Sequence, residues 1–299
     1  MRVDPNYVSH LAVAVNQSSL AESNLTTQLS SGLRVTSLQV DPGAAASSAM
    51  LGSAIAKDAS YVQAAAGKQS VLQATDSTLG AVVTQLTTAV SLAVQGANGT
   101  LDASNLSSIA QQLTGIRDQV LALANSSYLG VHLFGGSQGS VVPFTIDTSA
   151  MPATVAYVGD NAVQSTETPT GQKIQVSLPG AAIFGDGNGG VFAALNQLIA
   201  KFSGGASGAG AVTDTSALTD ALSHVSSQRS VLNSSLARIK DTSSYFANDQ
   251  SQLTAQQTSL VAVDLTTVAT QLKSAETQHQ ALLSVMAALG SSNLFNYMK

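Results

Sequence analysis

The sequence predicts a mainly α-helical protein with a small β domain inserted between two helical halves. Apolar residues recur at heptad spacing before residue 128 and again after residue 218, whereas residues 137–186 hold short runs typical of strands. The chain is 44% hydrophobic but only 4% aromatic, which suits narrow seams between long helices better than a broad core. We therefore expect the N- and C-terminal halves to pair as an elongated antiparallel helical bundle or coiled coil.

The composition excludes several classes of function. The 299 residues include 12 lysines and arginines against 17 aspartates and glutamates, a formal net charge of −5, and no cysteine. A chain without cysteine has neither a disulfide framework nor a cysteine-ligated zinc, and its net negative charge argues against nucleic acid as a partner. No stretch approaches the roughly 18 consecutive apolar residues of a membrane span, so we expect no membrane insertion.

The first predicted helix is weak on its own, because Ser18 and Glu22 interrupt its heptad pattern. Its apolar members are Leu11, Val15, Leu25 and Leu29. A seam this narrow cannot form a core by itself, so the pattern predicts that this helix is covered by another one.

Two further helices complete the first half of the chain. The second is long: Asp41 stands in a capping place, Pro42 takes the first helical position, and Asn98-Gly99 ends it. The third begins a few residues later, with Ser104 or Asp102 as its candidate N-cap. Apolar residues at alternating steps of three and four continue through both helices.

Residues 137–186 change from the helical period to the alternation of strands. Three short runs rich in β-branched and aromatic residues begin at positions 142, 155 and 174, with turn dipeptides after them. Glycines at 135–136 and 185–190 flank the segment. We therefore expect a flexibly tethered antiparallel β domain that the helical rod does not require. The alternative is that its aromatic side chains brace the rod or a neighbouring subunit, namely those of Phe144, Tyr157 and Phe184.

The second helical half begins after a short helix at residues 191–202 and a glycine-rich stretch at 203–210. In its first seam, the polar residues Arg229 and Ser243 occupy two heptad positions where the pattern otherwise has apolar residues. The last helix has the cleanest heptad pattern, broken only at His279, and Gly290 is its expected stop. This last seam consists of Val261, Leu265, Val268, Leu272, Ala275, Leu282, Met286 and Leu289.

No pattern in the chain indicates catalysis or metal binding. The four histidines lie on separate predicted elements, and no two of them share a helical spacing with a carboxylate. The loop at residues 185–190 lacks the Lys-Ser/Thr ending of a phosphate-binding loop and the distal Glu of a calcium loop. We therefore expect no enzyme activity, no cofactor and no metal.

Function is expected instead at the seams of the terminal helices, which are too thin to bury themselves and so predict burial between molecules. The predicted assembly residues are Leu25, Leu29, Val261, Leu265, Val268, Leu272, Leu282, Met286 and Leu289. The predicted domains are a terminal coiled-coil assembly domain (1–40 and 260–299), a helical rod domain (41–136 and 187–259) and the inserted β domain (137–186).

Two motifs near the ends of the chain resemble the paired signatures of the bacterial flagellin superfamily. The segment Gln28–Val35 (QLSSGLRV), followed by Asp41–Ala46 (DPGAAA), is similar to the N-terminal signature. The segment Asp264–Lys273 (DLTTVATQLK), with the leucine-rich run after it, is similar to the C-terminal signature.

Within that superfamily the chain resembles the hook-associated protein 3 family, the junction proteins next to the filament. The similar features are the start MRV, the segment Leu133–Gly136 (LFGG), the pair Pro143-Phe144, the segment Tyr157–Asp160 (YVGD) and the ending Asn293–Lys299 (NLFNYMK). The chain departs from the family at residues 37–40 (SLQV), where a Ser-Asp pair is usual.

The resemblance implies a secreted structural protein that the flagellar type III apparatus exports and that forms a ring between hook and filament. The implied partners are the other hook-associated junction protein, flagellin, further copies of the chain, and an export chaperone at the C-terminal helix. One alternative is a short flagellin, which would polymerise into the filament itself. A remote alternative is an enzyme carried by the β insert, although residues 137–190 contain no histidine and four acidic residues.

Overall fold

The computed structural model describes residues 7–37, 39–150, 153–187, 189–207 and 209–295, and for residues 7, 8, 209 and 289–295 it describes the backbone alone. Seven helices and six short strands form in these ranges. The helices are α1 (Tyr7–Ser31), α2 (Pro42–Ala97), α3 (Ala103–Ala124), α4 (Gly180–Phe184), α5 (Val191–Ser203), α6 (Ala209–Val261) and α7 (Leu265–Phe295). The strands are β1 (Ser127–Tyr128), β2 (Val131–His132), β3 (Phe144–Asp147), β4 (Thr154–Tyr157), β5 (Ser165–Glu167) and β6 (Lys173–Gln175).

The strands pair in sequence order as three antiparallel two-stranded sheets. In the middle sheet Phe144 faces Tyr157, and in the last sheet Thr166 faces Ile174. Both sheets lie within the predicted insert, between the long helices of the two halves. The mainly α class with an inserted strand region is therefore confirmed.

The helix starts follow the caps that the sequence indicates. The Asp41 carboxylate accepts a hydrogen bond from the Ala44 N–H at 3.0 Å at the start of α2. Asp102 accepts one from the Asn105 N–H at 2.8 Å, so Asp102 caps α3. Each cap satisfies one of the N–H groups that the first turn of a helix leaves unpaired.

The chain forms two compact units. One comprises residues up to Lys57 and from Asp249 onward, and the other comprises Asp58–Asn248. The long helices α2 and α6 each contribute one part to the first unit and one part to the second. The division of the chain into functional assembly, rod and β domains stays a prediction.

In the second unit, α2 supplies apolar residues to the core at intervals of seven. Leu72, Leu79 and Leu86 are all at most 1% exposed, as expected of a heptad seam against other helices. By length and composition alone α2 could cross a membrane. These three leucines of α2 belong to the core of the second unit.

The residue Arg229, which fills a seam slot of α6, forms an ion pair with Asp76 of α2. The Arg229 Nε donates a hydrogen bond to Asp76 Oδ1 at 2.6 Å, and the Arg229 Nη2 donates one to Asp76 Oδ2 at 3.1 Å. This bidentate arrangement is the strong geometry for such pairs. The hydrogen bond from Arg229 lowers the pKa of Asp76, and both side chains are about a third exposed to solvent.

We expect Asp76→Asn to lower the free energy of unfolding of the second unit by about 1 kcal/mol at neutral pH, because solvent partly screens the pair. Since the folded-state pKa of Asp76 lies below the unfolded-state value, the stabilisation is complete above the unfolded-state pKa and is lost as pH falls through the folded-state pKa. Urea midpoints of the original chain and the variant should therefore converge between pH 7 and pH 2. An equal gap at both pH values would contradict this assignment, and a double-mutant cycle with Arg229→Gln isolates the pair.

The last predicted seam does not form one helix. α6 ends at Val261, and α7 begins at Leu265 because Asp264 caps it and accepts hydrogen bonds from the Thr266 N–H at 3.0 Å and the Thr267 hydroxyl at 2.7 Å. The expected stop at Gly290 is also wrong, because α7 continues to Phe295. A glycine inside a helix costs only about 1 kcal/mol, so it does not by itself end one.

The expectation of a flexibly tethered insert is wrong, because the insert shares the core of the second unit. The rings of Phe144 and Phe184 lie 5.5 Å apart, each is at most 2% exposed, and both contact the ring of Phe192 on α5. The Asn125 side chain, at the end of α3, donates to the Phe144 carbonyl at 2.9 Å and accepts from its N–H at 2.8 Å.

The glycine at the entry to the insert allows a close approach. A Cβ at Gly136, whose φ is +71°, would lie within 2.0 Å of the Asp160 carboxylate. That carboxylate accepts a hydrogen bond from the Ser137 N–H at 2.7 Å. The glycine pair thus fits the chain tightly against the loop after β4, which is the opposite of a flexible joint.

Candidate assembly site

The helices α1 and α7 pack against each other in the first unit. α1 ends at Ser31. The next residue, Gly32, donates its N–H to the Gln28 carbonyl at 2.9 Å, and its φ of +69° suits the position after a helix C-terminus. The Gly32 carbonyl in turn accepts from the Val263 N–H at 3.1 Å, two residues before α7 begins. Because α1 ends where α7 starts, the two helices run antiparallel.

The predicted assembly residues divide into three groups by exposure. Val268 is buried, at 5% exposed, whereas Leu29 and Leu265 remain 38% and 53% exposed. The half-buried members are Leu25, Val261, Leu272, Leu282 and Met286. Leu289 lies on α7, but its side chain falls outside the described residues. These residues lie on α1 and α7, except for Val261, which is the last residue of α6.

Several exposed apolar residues of the first unit were missed by the heptad analysis. On α7 these are Leu283 (44%) and Val285 (42%), on α1 they are Val13 (53%) and Leu20 (66%), and on α2 the exposed residue is Met50 (75%). The adjacent apolar pairs at 282–283 and 285–286 could have indicated from the sequence that apolar side chains on α7 stay exposed. When two adjacent helical positions are apolar, one of them lies outside a narrow seam.

Charged residues are sparse on this helix pair. Among the described residues α1 carries one carboxylate, Glu22, and α7 carries Lys273 and Glu276, which form an ion pair at 3.3 Å. Interfaces between proteins are depleted of charge at their centres. A surface of exposed aliphatic side chains with few charges therefore suits contact with another protein.

The interior of the pair contains polar atoms that are not satisfied. The Ser18 hydroxyl and the His279 Nδ1 are buried and have no hydrogen-bond partner among the described residues. An unsatisfied buried polar group costs about 1–3 kcal/mol. These two positions are two of the three heptad interruptions seen in the sequence, and they make the α1–α7 packing weaker than its length alone would suggest.

The described residues contain no group of three or more His, Asp or Glu side chains that could hold a metal ion. His132 lies 2.8 Å from the Asn125 carbonyl through Nδ1, and His224 lies 2.8 Å from the Ala182 carbonyl through Nε2. Each of these two imidazole rings thus contacts a backbone carbonyl of the second unit. The chemistry that the terminal helices offer is association through apolar surface.

The helical regions at the two ends match models of a known family. The bacterial flagellin N-terminal helical region matches residues 7–139, and the bacterial flagellin C-terminal helical region matches residues 215–298. Together the matches take in more than two thirds of the chain. This chain belongs to the bacterial flagellin superfamily. The part that neither region matches, residues 140–214, contains β3 to β6, α4 and α5.

Among flagellin-superfamily proteins, two curated relatives are flagellar hook-associated proteins 3. The one from Salmonella typhimurium is 32% identical over 158 residues, which are 52% of this chain and 48% of the relative. The one from Escherichia coli is 33% identical over 119 residues, or 40% and 38% of the two chains. The match thus spans about half or less of the length of these relatives.

A solved structure shows the same fold. The putative flagellar hook-associated protein from Vibrio parahaemolyticus superposes with a TM-score of 0.63 at 18% identity, covering 74% of this chain and 99% of that one. At this identity the likeness concerns the fold alone.

Proposed function

We propose that this chain is a structural subunit of the bacterial flagellum that connects hook and filament. The similarity to two hook-associated proteins 3 carries the proposal. The fold agrees with it, because the terminal helices pair in the first unit and keep exposed apolar side chains such as Leu20 and Leu265. In a ring of subunits these side chains would be buried against a neighbour.

The proposal includes the partners and the location that such a role requires. The subunit is secreted, stands at the hook–filament junction outside the cell, and contacts the other junction protein, flagellin and further copies of itself. An export chaperone binds the C-terminal helix beforehand. The assembly residues of α1 and α7 make the contacts within the ring, and the support for this is their exposure together with the low charge of both helices.

A deletion of the gene in the host tests the role directly. We expect cells with hooks but no filaments and with flagellin shed into the medium, because filament subunits would lack the layer on which they assemble. Electron microscopy of cells and immunoblots of culture medium give the readout, and a plasmid copy of the gene is the control. Filaments of normal length on the deletion strain would contradict the junction role.

Self-assembly of the purified chain separates the junction role from that of a short flagellin. A flagellin forms long filaments alone, whereas a junction subunit requires its neighbours. Negative-stain images after seeding and salting out should therefore show no filaments. Long filaments of the pure chain would favour the flagellin alternative.

A further inference from the structure

A cleft in the second unit is lined by residues of α3, of α5 and of the chain next to β3 and β4. Its volume is about 540 Å³, within the range of roughly 300–1,000 Å³ that is usual for small-molecule sites. Two of its lining residues are buried: Arg117 of α3 is 7% exposed and Asn196 of α5 is 5% exposed. Thr148, Ala200 and Ser203 also line it and are exposed. The cleft therefore has a buried polar base and an exposed rim.

The guanidinium of Arg117 is only partly satisfied by the protein. Its Nε and Nη2 donate to one Asp118 carboxylate oxygen at 2.9 and 2.7 Å, and its Nη1 donates to the Asn196 Oδ1 at 3.3 Å. A guanidinium carries five N–H donors. Three are used, so two have no partner among the described residues. Burying a charged group is costly unless its hydrogen bonds are made, which favours a further acceptor at this position.

The Asn196 side chain adds a second kind of donor to the base of the cleft. Because a guanidinium only donates, Asn196 turns its carbonyl oxygen toward Arg117 and its NH₂ group away from it. That NH₂ group makes no hydrogen bond to another described residue. Both buried polar residues of the cleft thus present unused N–H groups, and the group that complements them is an acceptor.

The walls of the cleft are apolar. They include Ile199 and the small residues Ala150, Ala153 and Ala200, and none of the described residues that line the cleft is acidic. Water could satisfy the donors at the base, but it gains nothing from the aliphatic walls. A molecule with a charged acceptor at one end and a hydrocarbon chain at the other fits both features, because burial of the chain removes apolar surface from water.

We propose that this cleft binds a small monocarboxylate with a short aliphatic chain. The carboxylate accepts hydrogen bonds from the unused N–H groups of Arg117 and from the Asn196 NH₂ group, a pairing that suits the planar guanidinium. The chain lies against Ile199 and the alanines. The Asp118 side chain is 58% exposed, so water screens its charge more than that of Arg117. The site belongs to the second unit alone and does not depend on the junction role.

Isothermal titration calorimetry of the full-length chain with sodium octanoate tests the site. We expect one site per chain with a dissociation constant on the order of 1 mM or below, given the small size of the probe. 1-Octanol, which keeps the chain without the charge, and acetate, which keeps the charge without the chain, should each bind at least about tenfold more weakly. No binding of octanoate at millimolar concentration would overturn the site, and equal binding of octanol would overturn the role of the carboxylate.

Substitutions at the base change the affinity in opposite directions. Arg117→Gln should weaken octanoate binding by about tenfold or more, because it removes charge-assisted hydrogen bonds. Asp118→Asn leaves the guanidinium charge uncompensated, so octanoate should bind about two- to fivefold more tightly. Misfolding cannot produce such a gain, so this variant keeps the test decisive if Arg117→Gln unfolds. Unchanged or weaker binding by Asp118→Asn would overturn the assignment to Arg117.

A substitution at the rim tests the location of the site. Ala200→Trp places a large ring where an exposed methyl group lines the cleft, and it should abolish octanoate binding. The matched control is Gln197→Trp, an exposed position on the same helix that does not line this cleft. It should bind octanoate as the original chain does, and circular dichroism verifies the fold of both variants. Equal affinity of Ala200→Trp and the original chain would place octanoate elsewhere and overturn the proposal.

Discussion

Replacing Phe184 with alanine should lower the free energy of unfolding of the second unit by about 3–5 kcal/mol, the usual cost of removing a buried phenyl ring. Phe184 is fully buried and lies edge-on to the rings of Phe134 and Phe144, at 5.4 and 5.5 Å. The loss leaves a cavity between the insert and the flanking helices. Denaturation in guanidinium chloride, followed by circular dichroism at a helical wavelength, measures the change.

The matched control is Tyr245→Ala, which removes an aromatic ring that is 62% exposed on α6. We expect a loss of no more than about 1 kcal/mol there. If the insert were a separable module, Phe184→Ala would leave the helical transition where it was. That result would restore the idea that residues 137–186 can be deleted without harm to the helices.

The helices could be predicted because their signals are local. Asp41 and Asp102 each stand three residues before the N–H that they accept from, so the starts of α2 and α3 can be read from the sequence. The apolar repeat of α2 likewise predicted that Leu72 and Leu79 would be buried. Such features depend on neighbours within one or two helical turns.

Features that depend on distant residues were not predictable in the same way. The break between α6 and α7 interrupts a heptad pattern that is regular from Val261 to Ala275. It lies where Val261 and Val263 form backbone hydrogen bonds with Arg34 and Gly32, which lie more than 220 residues earlier. The glycine pair at 135–136 was interpreted as a flexible joint for a similar reason. A sequence shows that a side chain is missing, but not that the Asp160 carboxylate fills the space at Gly136.

The candidate site was predictable as a pair of helices but not residue by residue. Val268 and Leu265 both hold seam positions of the heptad pattern, yet Val268 is 5% exposed and Leu265 is 53% exposed. Leu265 is the first residue of α7, near the point where α1 ends at Ser31, so little of α1 remains to cover it. Heptad spacing identifies the apolar face of a helix. Which side chains of that face remain exposed to solvent depends on where the partner helix begins and ends.

Replacing Leu283 with aspartate should abolish swimming without unfolding the protein. Leu283 is 44% exposed in the single chain, and changes at such surface positions usually alter stability by less than about 0.5 kcal/mol. If a neighbouring subunit covers this face, the same carboxylate becomes a buried, unpaired charge that costs several kcal/mol at every contact. Soft-agar motility measures assembly, thermal melting by circular dichroism measures the fold, and an immunoblot of the medium verifies export.

The control is Val231→Asp, a helical position of the second unit that is 43% exposed on α6 and so matches Leu283 in exposure. It should swim normally and melt at the same temperature as the original chain. Leu265→Asp, at the other end of α7, should fail to swim as Leu283→Asp does, whereas Leu283→Ala should be milder because it removes only apolar area. Normal swimming of both aspartate variants on α7 would remove this face from the assembly contact. Failure of Val231→Asp as well would show that the ring buries α6 in addition to α7.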